Sequence, residues 1–292
     1  MKKIFFLLCV ILLFFVNSLF AQKKIFTSIQ PLAFLIENIG REKVKVFTML
    51  REGDNPHTFE PLPAQITELN KADMYIKLGS GIEFELIWLD KIFNTNKSMK
   101  IADASRGIKL LKMQKHAHNH DKKEKNQHHH SNNDPHIWLS IANAIIMSAN
   151  IRDALISIDT DNSEYYRSNF EQLIGELNNI KNQTQEKLKN VKNRKFLIFH
   201  PSFGYFANEL NLTQLAIEIN GKEPTPKQLK QIINTAKKNN IKIVLASENF
   251  NKKSAELIAK EIDGRVELIN ELSKDYINNL KKITAIFAET LK

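Results

Sequence analysis

Cysteine is almost missing from this chain. The only one, Cys9, lies inside an apolar segment near the N-terminus, so the folded part has no disulfide to support it. Long hydrophobic runs are equally scarce. Beyond that first segment no second long apolar stretch stands out, and nothing else is expected to span a membrane. The chain carries a formal net charge of +10, but its lysines are spread over helix faces with no aromatic-basic stripe. That distribution does not suit nucleic-acid recognition and reads as solvated surface with, at most, weak attraction to an acidic membrane or partner. Collagen-like and coiled-coil bias are also lacking. The composition, 42% hydrophobic and 25% charged, is globular, and 292 residues suffice for two domains with their own cores.

Residues 1–21 have the layout of a cleavable secretory signal. Lys2 and Lys3 precede a 13-residue apolar run, Ile4 to Val16, and the segment ends on a small residue, Ala21. The run is short for a bilayer span, which takes about 20 apolar residues. No cysteine follows a small-residue lipobox, so a lipid anchor is not expected. Removal of the segment takes Lys2 and Lys3 with it and lowers the net charge to +8. A soluble periplasmic protein is the expected product.

From residue 22 onward, short β-type runs alternate with helical ones. Ile25–Ile29, Val44–Leu50, Met74–Leu78 and Lys100–Ala102 read as strands, and Pro31–Ile39, Pro63–Ala72 and Phe84–Phe93 as helices. The alternation predicts an α/β lobe with a mainly parallel sheet and flanking helices over residues 22–160. It is interrupted at 112–133 by a polar, His-rich stretch that cannot bury a core and is expected to be a mobile loop. Ile141–Ile158 is helical. In residues 161–192, Tyr166, Phe170, Leu173, Leu177, Ile180 and Leu188 form one apolar stripe with no proline, which predicts a long rigid linking helix. A second lobe of the same build follows at 193–292. Its strands are expected at Lys195–Phe199, Leu212–Ile217, Ile241–Ala246 and Val266–Ile269. Thr225 is the expected cap of a helix over Pro226–Lys238. Ligands in such folds sit beyond the carboxyl ends of strands and in clefts between lobes.

The nine histidines give the chemistry. Six fall in the polar stretch: His116, His118, His120, His128, His129 and His130. The remaining three, His57, His136 and His200, are far apart, yet each lies at a strand-end loop beside a proline that restricts the local backbone. Three neutral imidazoles suit zinc, and an oxygen ligand or water completes a tetrahedron. Each ring also needs an acceptor for its other N–H. Glu248, at the end of the Ile241–Ala246 strand, is the candidate for that orienting role. The His-rich stretch is read as an auxiliary metal segment with no single essential histidine.

Four segments in this order resemble the substrate-binding proteins of zinc and manganese ABC importers, the ZnuA-like or cluster A-I family. They are Gly53-Asp54-Asn55-Pro56-His57-Thr58-Phe59-Glu60-Pro61, Asp134-Pro135-His136-Ile137-Trp138-Leu139, Phe199-His200-Pro201-Ser202-Phe203-Gly204-Tyr205-Phe206, and Glu223-Pro224-Thr225-Pro226-Lys227-Gln228-Leu229. The resemblance covers essentially the whole mature chain. It implies two α/β lobes joined by one long helix, with the metal in the inter-lobe cleft. It also implies delivery of Zn2+ to a membrane permease driven by a cytoplasmic ATPase, by a binding protein acting as a monomer and not as an enzyme. His200 stands where manganese binders of the family tend to carry Glu, which favours zinc. One position departs: where the family has an acid before the last helix, this chain has Asn270 followed by Glu271. The fourth ligand is therefore water, Asn270 or Glu271. A manganese- or iron-binding importer component is the alternative within the family. Outside it stand a zinc hydrolase, against which there is no His-Glu-x-x-His helix, and a metal-dependent adhesin or storage protein built on the His-rich stretch.

Overall fold

The computed structural model describes residues 22–51, 53–56, 58–94, 96–113, 133–219, 221–248 and 253–292. The expected signal peptide, His57 and the six histidines of the polar stretch lie outside the described residues.

Strands β1 (Lys23–Thr27), β2 (Val44–Thr48), β3 (Met74–Lys77) and β4 (Lys100–Asp103) form one sheet in the order β2-β1-β3-β4, parallel throughout. Parallel neighbours need crossovers, which here contain α1 (Gln30–Gly40), α2 (Pro63–Leu69) and α3 (Glu83–Phe93). Two helices then leave the sheet. The first, α4 (Ile141–Ile158), is long and apolar enough by composition to cross a membrane, contrary to the expectation that only the N-terminal segment is so. It buries Ala144, Met147, Ile151 and Leu155 against α1 and the next helix, so it is a core element of the lobe. That next helix, α5 (Ser163–Lys189), runs 27 residues and spans about 40 Å at 1.5 Å per residue. Every residue of its predicted stripe is buried, against α1 on one side and the C-terminal helix on the other.

The second lobe repeats the first. Strands β5 (Lys195–Ile198), β6 (Thr213–Ala216), β7 (Ile243–Ser247) and β8 (Arg265–Ile269) take the order β6-β5-β7-β8, again all parallel. Its helices are α6 (Gly204–Glu209), α7 (Pro226–Lys238), α8 (Lys253–Glu261) and α9 (Tyr276–Thr290). Thr225 caps α7 as expected, its hydroxyl accepting the Gln228 N–H while the Gln228 side chain accepts the Thr225 N–H.

Strand β5 shows how the core is divided. Phe196 and Ile198 face a core that runs without a break from the first lobe past α5 to Phe203, Phe206 and Phe287. Leu197 and Phe199 face a smaller core under α7 and α8, with Val244, Ala246 and Ile258. From Phe196 to Phe199 the chain is covered on both faces and apolar at every position, as a parallel sheet requires.

Candidate metal centre

The four strands of the second lobe each deliver a polar group at or just beyond their carboxyl ends. These are His200 after β5, Glu218 after β6, Ser247 ending β7 and Glu271 after β8. Parallel register aligns the first three. Ile198 pairs with Ala216 and with Leu245. Carried two residues further, the same register sets His200 between Glu218 and Ser247.

His136 comes from the other side, on the segment before α4. It caps a short 3-10 turn, Ile137–Leu139. Asp134 folds back on it: one carboxylate oxygen, Oδ1, accepts the His136 backbone N–H at 2.9 Å and lies 2.7 Å from ring Nδ1. Both side chains are 4% exposed. The segment is tied to the second lobe at several points. The Trp138 indole donates to the Glu271 carbonyl at 2.7 Å, the Tyr276 hydroxyl donates to the Trp138 carbonyl, and Ser140 donates to Glu209 at 2.7 Å. On the first-lobe side the Ser80 hydroxyl donates to the Pro135 carbonyl at 2.6 Å.

The two imidazoles meet edge to face with their Nε2 atoms 3.3 Å apart. His200 Nδ1 lies 3.2 Å from Glu218 Oε2. A carboxylate only accepts hydrogen bonds, so each Nδ1 carries the hydrogen and, in a neutral ring, the lone pair is at Nε2. Two such lone pairs facing each other repel unless a cation lies between them. Two nitrogens bound to a tetrahedral zinc at about 2.0–2.1 Å stand about 3.3 Å apart, which is the gap found. The donor set and its spacing therefore fit a transition metal. Among the described residues no group of three or more His, Cys, Asp or Glu forms a ready-made cage.

Of the two residues expected as alternatives to water in the fourth position, the structure brings only Glu271 to the pair. It is 7% exposed, accepts the Ser202 hydroxyl at 3.2 Å and a hydrogen bond from Ser247, and interacts electrostatically with His136. Burial pushes its pKa up, opposed by those donors and by His136. Asn270 instead turns its side-chain oxygen to the Leu272 N–H at 3.0 Å. Glu248 is also placed differently from expectation. Its carboxylate is 39% exposed and 4.0 Å from Lys282 Nζ, because it follows Ser247, which takes the inward direction. The carboxylates that meet the rings are Asp134 and Glu218, neither of which was singled out from the sequence. Asp134 had a local signal, an Asp two residues before a His in a proline turn. Glu218 had none, since only sheet register brings it to His200.

Comparison with known proteins shows the family and the fold. The profile of a family described as zinc-uptake complex component A, periplasmic (ZnuA), matches residues 25–290. A crystal structure of ZnuA superposes with a TM-score of 0.85 at 37% identity, covering 93% of this chain and all of that one. A zinc-bound ZnuA lacking its residues 138–173 gives 0.84 at 35%, covering 93% and 98%. The high-affinity zinc uptake system protein ZnuA of Bacillus subtilis (strain 168) is 28% identical over 84% of this chain and 77% of its own length. The chain belongs to the ZnuA family of periplasmic zinc-uptake components.

Proposed function

We propose that this protein is exported to the periplasm, captures a single Zn2+ ion in the cleft between its lobes, and hands it to the permease of an ABC importer. The ion is cargo, held by His57, His136 and His200, with Glu271 in the fourth position. The observation that carries this reading is the Nε2–Nε2 gap of 3.3 Å between two rings whose other nitrogens are each engaged by a carboxylate. Orientation by carboxylates fixes the tautomer and raises the basicity of the ligand nitrogens. Three imidazoles favour zinc over the oxygen-preferring divalent ions.

Manganese is the second reading, and Glu271 is what favours it, since a carboxylate adds a hard oxygen donor. Competition titration of purified protein with zinc and manganese separates the two. Zinc bound far more tightly, with binding lost in His200→Ala, supports the proposal; tighter manganese binding overturns it. Deleting residues 114–132 tests whether the His-rich segment is the main site, and high-affinity binding is expected to survive.

A further inference from the structure

The imidazole pair works as a clamp only while its gap is held, yet the two histidines are 64 residues apart in sequence and come from different segments. Two contacts that bridge the two segments lie in the first turn of α6, four and five residues beyond His200, and both land on Asp134.

The first is polar. The Tyr205 hydroxyl donates to the Asp134 carbonyl at 2.9 Å and accepts the Leu111 N–H at 3.0 Å. Its single hydrogen must go to the carbonyl, because the amide can only donate. The Asp134 N–H closes the triangle on the Leu111 carbonyl at 2.8 Å. Tyr205 is 5% exposed, and burial pushes its phenol up to about 12, so it stays a donor across the physiological range. The second contact is steric. A Cβ on Gly204 would stand 2.2 Å from Asp134 Oδ2, well inside any real contact. The carboxylate that engages His136 through Oδ1 thus rests its other oxygen against the only residue type that leaves room for it.

We propose that Gly204 and Tyr205 are positioning residues that set the His136–His200 gap. Tyr205 fixes the main chain of the Asp134 segment relative to the His200 segment. Gly204 gives the Asp134 side chain the clearance to stay on His136 Nδ1. Neither touches the metal; both act through Asp134. The inference rests on the reading of the pair as the metal site.

The test compares full-length Tyr205→Phe and Gly204→Ala with wild type and with Leu177→Val, a buried core variant in the linking helix α5. Three quantities are measured on each: zinc affinity by competition, the visible absorption of bound Co2+, and the melting temperature of metal-free protein. Tyr205→Phe should weaken zinc about 10-fold and Gly204→Ala up to about 100-fold, the range found when groups that orient metal ligands are removed. Both should shift the Co2+ spectrum. Leu177→Val should lower the melting temperature and leave affinity and spectrum unchanged. Tyr205→Phe with unchanged affinity and spectrum overturns the proposal, whatever happens to its melting temperature. Wild type that takes up neither zinc nor Co2+ overturns the metal-site reading, and the proposal with it.

Discussion

Asp134 and Glu218 give the histidine pair its chemistry. Each accepts from an Nδ1–H, which on the proposed reading makes the opposite nitrogen the metal ligand. Asp134→Asn keeps the volume but offers an amide that can pair with the ring in either tautomer. Zinc affinity, read by competition with a chromophoric chelator, should fall 10- to 100-fold, in the range typical of such partners. Glu218→Gln should cost less, since its contact is longer, 3.2 Å against 2.7 Å. His136 and His200 could be singled out in the sequence because, outside the polar stretch, histidine stands at three positions, each beside a proline; His136 lies at the 3-10 turn before α4, not at a strand end. Their carboxylate partners could not, apart from the local hint at Asp134. Glu248 was the plausible acid by position, but one residue of register separates it from the inward-facing Ser247.

At the level of elements, most of the fold follows from pattern. Helices α4 and α7 occupy the predicted spans without change, and α5 buries its whole predicted stripe. Most strand ends move by one or two residues, and the 3-10 turn at Ile137–Leu139 was not foreseen, since three residues carry no period. Strand order was not legible either, because it depends on which edges meet. One buried carboxylate makes a test of element packing. Glu85, in the first turn of α3, accepts the Leu78 N–H at 2.6 Å, the Gly79 N–H at 2.8 Å and the Ser28 hydroxyl, so it joins the carboxyl ends of β1 and β3. Burial nevertheless pushes its pKa above the ordinary glutamate value. A folded-state pKa above the unfolded one contributes stability that is full below about pH 4.3 and is lost as pH rises through the raised value. Chemical denaturation across pH 4 to 8 should therefore show wild type losing stability over this window relative to Glu85→Gln. A constant difference between the two proteins would contradict the burial argument.

Among the described residues one principal core runs continuously from the first lobe along α5 to α9. The lobes should unfold together, in a single calorimetric transition, despite their separate sheets. Removing buried volume at the shared helix, as in Leu177→Ala, should lower the stability of both by about 2–5 kcal/mol, again in one transition. Zinc should raise the melting temperature with a dependence on free metal that follows ln(1 + [L]/Kd). Protons compete with the metal for Nε2, so affinity should fall as pH drops through the ordinary imidazole range near ~6.5. Flat affinity between pH 8 and 5 would argue against histidine ligands.

The most direct test of the account is a zinc–manganese competition titration with elemental analysis, on wild type, on the chain lacking residues 114–132, and on His136→Ala and His200→Ala. The account predicts one tightly held zinc per chain in the first two, much weaker manganese, and loss of high-affinity binding in both alanine variants. High-affinity zinc that survives in the alanine variants but disappears with residues 114–132 would contradict it.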